Sequence, residues 1–428
     1  MTRMRWLSGT ALVAVVLSVA GCTNGEPEGE NGGVSEVRIG VLAPQSGASR
    51  AAGNEVLQGA ELAAALVNGD EGAVQLAGVG TGGLAGLGGA KLRIVPGDTR
   101  SDPEDGAIEA ARLVAEGRVA GLVGAFDPLV TEVASQRTER LGVPFVNGDT
   151  PADHLTERGL DWFFRTGPTD RMFTEAFYSA LRETAGADAA KVATLYTTDQ
   201  PSSVVANLTR DLAEEGGFDL VTQVKVAPPR KGDSPPVAAV NQIRAEEPDA
   251  VFVIASNPDA ATTLLKAFGQ AGYSPPGILA FGAGFTPRTV LGAGPDGEAV
   301  LASTAWSREI AGRSAIAKPV MDLYEERFDQ PMSETAAGTF TAVLVLAEAI
   351  DNAGSTDPQR VRAALLNLDI PARETIMPWS GIRFDASSRQ NAAANGVVEQ
   401  RVGQAFRVVF PGELQQAEPV WPRQTAGT

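Results

Sequence analysis

Only one cysteine, Cys22, and one histidine, His154, occur in 428 residues. A single cysteine excludes an internal disulfide framework, and the two scarcities together exclude the Cys/His spacing of zinc sites. Basic side chains are also short: 35 Lys and Arg stand against 52 Asp and Glu, for a formal charge of −17. That balance argues against nucleic acid, whose phosphates need basic stripes. Catalytic constellations are missing too. There is no G-x-S-x-G elbow, and His154 reads as a helix-surface residue rather than a base. Two matches to G-x-G-x-x-G occur, at Gly78, Gly80, Gly83 and at Gly292, Gly294, Gly297. Neither stands between a strand and a helix, as a dinucleotide site requires, so both read as loops. The expectation is a chain that is not an enzyme and carries no cofactor and no metal.

What is present begins with an address. Arg3 and Arg5 form a positive n-region, and Ala11–Leu17 is an apolar core too short to span a bilayer. Val19-Ala20-Gly21-Cys22 then has the form of a bacterial lipobox, so residues 1–21 read as a lipoprotein signal peptide and Cys22 as the lipidation site. Diacylglycerol supplies two acyl chains, enough for stable anchoring on the extracytoplasmic face of the membrane. Residues 22–34 are polar and Gly-rich and read as a flexible tether. Loss of Arg3 and Arg5 with the leader takes the formal charge to −19. Broad contact with anionic lipid is then unfavourable, and the anchor does the holding.

Beyond the tether the pattern is βαβα. Strand-like runs fall at Val37–Leu42, Leu92–Val95, Val119–Val123, Val143–Val146, Val192–Tyr196, Val221–Val226, Ala250–Ala255 and Gly277–Phe281. Helical periodicity lies between them: Val204, Val205, Leu208 and Leu212 share a face, as do Leu264, Leu265 and Phe268. Such alternation implies parallel sheets with helices on both faces. Helix starts with proline at N1 recur at Asp102-Pro103, Asp127-Pro128, Thr150-Pro151 and Asn257-Pro258. Asp70–Ala90 reads as a surface hairpin or disordered insertion, Pro228–Pro236 as a loop, and the tail after Pro411 as loosely held.

Residues 119–170 organise the rest: two strand-to-helix units and a third strand, with the two helix N-termini side by side at the carboxyl edge of one sheet. Open α/β sheets bind ligands at such an edge. Gly124, Val143-Pro144, Leu155-Thr156-Glu157-Arg158-Gly159 and Phe164-Arg165-Thr166 in this stretch carry a resemblance. So do Val37–Asn68, Asp98-Thr99 with Asp102-Pro103, and Gly381–Asp385. In this order they resemble the extracytoplasmic solute-binding proteins of branched-chain amino-acid-type ABC importers, over about residues 36–411.

The resemblance implies a type I periplasmic binding protein fold: two α/β lobes, each a parallel sheet flanked by helices, joined by a three-segment hinge. It places lobe 1 at 35–165 and 298–370, lobe 2 at 166–297 and 371–411, and a tail at 412–428. Crossings fall near 163–168, 296–299 and 368–379, and Ile382–Phe384 is expected to pair with Phe406–Val409. The implied function is capture of a small polar organic molecule between the lobes and delivery to ABC permease and ATPase subunits. The alternative is a ligand-sensing lipoprotein on the same lobes. In this family a ligand carboxylate meets hydroxyls and helix N-termini of lobe 1, and an acidic residue of lobe 2 meets the ammonium.

This chain departs from that pattern. It has Asp127-Pro128-Leu129 in place of the hydroxyls, Asp149 beside Thr150, and Phe281-Gly282-Ala283-Gly284 about where the lobe-2 acid would stand. The candidate ligand-binding residues are Ser46, Asp127, Leu129, Asp149, Thr150, Ser202, Asn257, Phe285 and Trp306. Capping competes with ligand contact at Asp127, and core packing competes with a cleft wall at Trp306. A carboxylate at position 149 disfavours a ligand carboxylate and favours amine, amide or hydroxyl donors. Leucine, isoleucine and valine are therefore expected to bind poorly.

Overall fold

A computed structural model describes residues 34–47, 49–70, 74, 76, 82–186 and 190–423. The leader, Cys22 and most of the tether lie outside the described residues, as do Gly78 and Gly80.

The chain runs β1 (Glu36–Ala43), α1 (Arg50–Asn68), β2 (Lys91–Asp98), α2 (Pro103–Ala115), β3 (Gly121–Val123), α3 (Pro128–Leu141), β4 (Phe145–Asn147), α4 (His154–Glu157) and β5 (Phe163–Arg165). These five strands form one sheet in the order β2-β1-β3-β4-β5, and every pairing is parallel. Then follow α5 (Asp170–Ala185), β6 (Lys191–Thr197), α6 (Gln200–Gly216), β7 (Asp219–Val226), α7 (Val237–Ala245), β8 (Ala250–Ile254), α8 (Pro258–Gln270), β9 (Gly277–Phe281), α9 (Pro287–Gly292) and β10 (Leu301–Thr304). Four helices come next: α10 (Arg308–Ala311), α11 (Ala317–Phe328), α12 (Glu334–Ala353) and α13 (Pro358–Leu366). The chain closes with β11 (Ile370–Pro371), β12 (Gly381–Ile382), β13 (Val397–Val402) and β14 (Ala405–Phe410). The second sheet has the order β14-β13-β10-β9-β8-β6-β7, parallel from β7 to β10 and antiparallel at β13 and β14.

Both sheets are covered on both faces, as parallel sheets must be. In lobe 1, Ile39 and Val41 join a core with α1 and α12, while Leu42 and Leu122 turn to α2 and α3. Gly59 lets α1 and α12 touch, since a Cβ there would lie 2.3 Å from the Ala336 carbonyl oxygen. In lobe 2, Phe252 and Ile254 face α5 and α6, while Val251 and Val253 face α7 and α8.

Several expectations change. β10 belongs to the larger sheet, so the second crossing follows Thr304 rather than falling near 296–299. The run after Ala299 has partners on both sides, β9 and β13, and therefore stays in lobe 2. Ile382 pairs with Ile370, and β14 pairs with β13, so Ile382–Phe384 does not pair with Phe406–Val409. Val204 is exposed while Val205 and Leu212 are buried, which narrows the buried face of α6. Part of the Gly-rich insertion is folded: Leu84 and Ala90 form an antiparallel bridge, and the Gly86 amide donates to the Asp351 carboxylate at 2.7 Å.

The tail is fastened through Arg423. Trp421 covers Gly277, where a Cβ would lie 2.2 Å from its ring. The Arg423 amide donates to the Pro276 carbonyl, and its guanidinium donates to the carbonyls of Asp296 and Glu298. The polar composition that suggested a loose end supplies these bonds.

Candidate functional site

The carboxyl ends of β3 and β4 meet in a buried polar network. Asp127 caps α3, accepting from the Leu129 and Val130 amides at 2.9 and 3.3 Å, with Pro128 at N1. Immediately before it, Phe126 holds φ of +73°, a region a bulky side chain rarely adopts. Asn147, fully buried at the end of β4, reaches the Gly124 carbonyl at 2.7 Å, the Thr150 hydroxyl at 2.9 Å and Asp149 Oδ1 at 3.1 Å. Thr150 in turn donates to the Phe126 carbonyl at 3.1 Å.

Asp149 is the unsettled member. Its Oδ1 has the Asn147 and Thr150 contacts, while Oδ2 is buried with no hydrogen-bond partner among the described residues. Burial pushes its carboxyl up to about 6, against the opposing pull of Thr150 and Asn147. The loop cannot relax outward on the α12 side. A Cβ on Gly148 would lie 2.2 Å from the Gly338 carbonyl oxygen, and one on Gly338 2.5 Å from that of Gly148.

Thr150-Pro151 does not open a helix. The next helix, α4, is a single turn from His154, and Asp153 makes no side-chain cap. The Thr150 hydroxyl is turned into the Asn147 network instead, and the Asp153 carboxylate accepts from the Arg171 amide. The His154 imidazole lies half-exposed beside Glu132 at 3.3 Å.

At the neighbouring strand ends, Asp98 gathers the loop after β1. Burial opposes its ionisation, yet donors from Ser46, Arg100 and Gln45 hold it below the usual carboxylate value. The Ser46 hydroxyl is thereby committed to Asp98 at 2.7 Å. The hydroxyls of Thr99, Ser101 and Thr339 are buried without partners among the described residues.

The lobe-2 edge is built from helix caps. Ser202 is buried at the start of α6, its amide donating to Asp199 and its hydroxyl accepting from Thr197 at 2.9 Å. Asn257 caps α8 through the Ala260 amide at 2.9 Å. Phe285 is a core side chain packed among the residues of α8 and α9, and Trp306 is 2% exposed within the main core. Trp306 therefore takes its packing alternative, and its Nε1 has no partner among the described residues. Leu129 is exposed on α3. A shallow pocket of about 420 Å³ opens at the ends of β7 and β8, lined by Pro228, Pro229, Arg230, Lys231, Asn257 and Asp259. Sequence reading passed over Arg230 and Lys231 because they sit in a Pro-rich segment read only as a loop.

The connections between lobes converge on Arg165, which is fully buried. It donates to Gln390 at 2.6 Å, to the Thr150 and Ala152 carbonyls, and to Thr156 at 2.8 Å. Gln390 and Asn391 carry the bonds on to the Gly167 and Thr166 carbonyls. The first crossing and the stretch between β12 and β13 are thus one hydrogen-bonded unit. Burial lowers the Arg165 pKa to about 10, and burial with the nearby Asp153 raises Asp170 to about 7. At the second crossing, the Thr304 hydroxyl and Ala305 amide donate to Glu334 at the start of α12.

Among the described residues, no group of three His, Cys, Asp or Glu is placed to hold a metal ion. The Leu/Ile/Val-binding protein homolog 7 of Brucella abortus is 25% identical over 371 residues, covering 84% of this chain and 88% of that protein. The branched-chain amino acid transporter substrate-binding protein LivJ of Streptococcus pneumoniae, solved with isoleucine, superposes with a TM-score of 0.69 at 22% identity. It covers 88% of this chain and 100% of its own. A solute-binding protein of an ABC transporter from Rhodopseudomonas palustris, solved with benzoate, gives 0.68 at 18% identity and covers 92% and 99%. Residues 36–401 match the periplasmic binding protein family, with the two-lobed α/β fold its solved relatives share, and the chain belongs to that family.

Proposed function

We propose that this protein is the solute receptor of an ABC importer, held at the extracytoplasmic membrane face by lipid on Cys22, and that it closes on a small polar organic molecule. The observation that carries the reading is Asp149 Oδ2, a buried carboxylate oxygen without a partner among the described residues, at the strand ends of lobe 1. Buried polar atoms are normally paired, and a ligand N–H or O–H would complete this one. Thr150 orients the loop from below. Ser46 and Leu129 contribute the rim of lobe 1 and Asn257 that of lobe 2, while Asp127 and the buried Ser202 hold their loops. Family membership and the similarity to structures holding isoleucine or benzoate support a small organic solute.

A thermal-shift screen of the chain lacking residues 1–22 tests this, with amino acids, amides, sugars, polyamines and aromatic acids as probes. Binding to the folded form raises the unfolding temperature by mass action. A donor-bearing compound is expected to give a larger shift than leucine, isoleucine or valine, and Asp149→Asn to reduce it. A screen without any shift contradicts a receptor. For the anchor, Cys22→Ser should move the protein from membrane to soluble fractions without changing its unfolding temperature; retention at the membrane contradicts lipidation.

A further inference from the structure

Two carboxylates meet at the second crossing, one from each lobe. After Thr304 the chain passes through Ala305-Trp306-Ser307 and the single turn α10, whose Ile310 packs on β13 and β14. It reaches lobe 1 at α11, which packs on α1. Glu334, at the start of α12 in lobe 1, reaches back to accept from the Thr304 hydroxyl at 2.7 Å and the Ala305 amide at 3.0 Å. Glu399 of β13, in lobe 2, is 3% exposed and accepts from the Ser307 hydroxyl, which itself caps α10 by accepting from the Ile310 amide. Both grips fall between Thr304 and Ser307.

The Glu334 grip can be released at low cost. The Thr304 hydroxyl also lies 2.7 Å from the Trp306 carbonyl, and its one proton serves either acceptor. Glu399 has less freedom. On one side it is paired with Ala302 of β10, and α5 covers β13 with the apolar Phe173 and Ala176 beside Gly396. The charged groups that face it are both carboxylates, Glu309 of α10 and Glu334 of α12. Cations in the surrounding elements are committed elsewhere: Arg308 to Glu325 of α11, Arg401 to the Val290 and Gly294 carbonyls, and Arg407 to the Phe406 carbonyl. Burial, and then these two like charges, push the Glu399 carboxyl up to about 7 against the Ser307 bond. Glu334 reaches water, yet the protein packed around it holds it above its usual value as well.

We propose that Glu399 is a proton-operated latch on the lobes: with a proton it leaves the Glu334 bonds intact, and ionised it repels Glu334 from the crossing and frees the lobes to turn. The latch acts with or without a solute, so it goes beyond the receptor reading. Turning separates the two carboxylates, and a carboxylate relieved of a like-charged neighbour ionises more readily. The turned arrangement therefore has the lower pKa at Glu399. By linkage, the arrangement described here is favoured most below that lower value, is lost as pH rises towards about 7, and changes no further above it.

The test is single-molecule fluorescence energy transfer between the lobes, on the chain lacking residues 1–22, which has no other cysteine. Dyes go on Arg137→Cys of α3 and Gln242→Cys of α7, both exposed. Without solute, the efficiency at pH 5 should match the lobe arrangement described here. The ratio of that population to the turned one should fall about tenfold or more by pH 8. Glu399→Gln keeps an acceptor for Ser307 without the charge, and should hold the pH 5 efficiency at pH 8. Glu334→Gln, at an exposed position, keeps its acceptor and should do the same, so the outcome does not rest on the folding of a buried variant. The proposal is overturned if the wild type gives one efficiency at both pH values, or if Glu334→Gln shifts as the wild type does. It is also overturned if Asp170→Asn, which removes the raised carboxyl beside the first crossing, abolishes the shift while the glutamate variants do not.

Discussion

The two strand edges solve one problem differently. Lobe 1 positions its loops with a side-chain network under the surface: Asn147, Thr150 and Asp149 tie β3 to β4, and Arg165 ties both to the hinge. Lobe 2 relies on local caps, with Asp199 at α6, Asn257 at α8 and Thr286 at α9, each satisfied within a few residues. A network that spans strands is costly to break, and it leaves little freedom to adapt. A set of caps lets each loop be altered with small effect. Lobe 1 accordingly reads as the rigid half of the site and lobe 2 as the half in which specificity is readily changed.

The largest break should come from Arg165→Ala. It removes the donors from Gln390, Thr156 and two carbonyls that are buried with it, and it severs the first crossing from the stretch between β12 and β13. A loss of about 4 kcal/mol or more is expected from stranded buried polar groups, read as a lowered denaturation midpoint. A change under about 1 kcal/mol, the ordinary scale of a surface substitution, would remove the distinction between the edges. Deleting residues 412–428 should cost about 3 kcal/mol, because Trp421 leaves its site over Gly277 and Arg423 leaves three carbonyls. Retained stability would mean the tail is an ornament.

Asp149 sharpens the comparison through pH. Its carboxyl is raised to about 6, so the fold favours the neutral form, and its contribution is greatest below its unfolded value near 4. Stability from this group falls as pH rises through that window and is flat above it, by about 2–3 kcal/mol in total. Asp149→Asn should abolish that part of the pH dependence, as urea titrations between pH 4 and 7 would reveal; an unchanged profile contradicts its burial. The smallest effect belongs to the caps. Asp127→Ala should cost about 1 kcal/mol and leave solute affinity within twofold, since its carboxylate is occupied by the Leu129 and Val130 amides.

Local signals in the sequence were sufficient for the βαβα order and for the caps at Asp102, Asp127 and Asn257, because strand runs and N-cap chemistry act within four residues. Failures came where distant partners decide. Thr150-Pro151 has the form of a helix start, yet the Phe126 carbonyl, from the loop after β3, captures the Thr150 hydroxyl together with the Asn147 amide at the end of β4. β10 is kept in the larger sheet by β13, which lies about a hundred residues later. Asp149 was legible as a charge near the edge; its half-satisfied carboxylate was not, because burial is a property of the packing against α12. Arg230 and Lys231 were hidden by the prolines around them.

The central claim is that opposite edges close on one solute about a hinge centred on Arg165. Small-angle scattering of the soluble chain, with and without a saturating solute from the thermal-shift screen, tests it most directly. Closure predicts a smaller radius of gyration in the presence of solute. Confirmed binding with an unchanged scattering profile would contradict it.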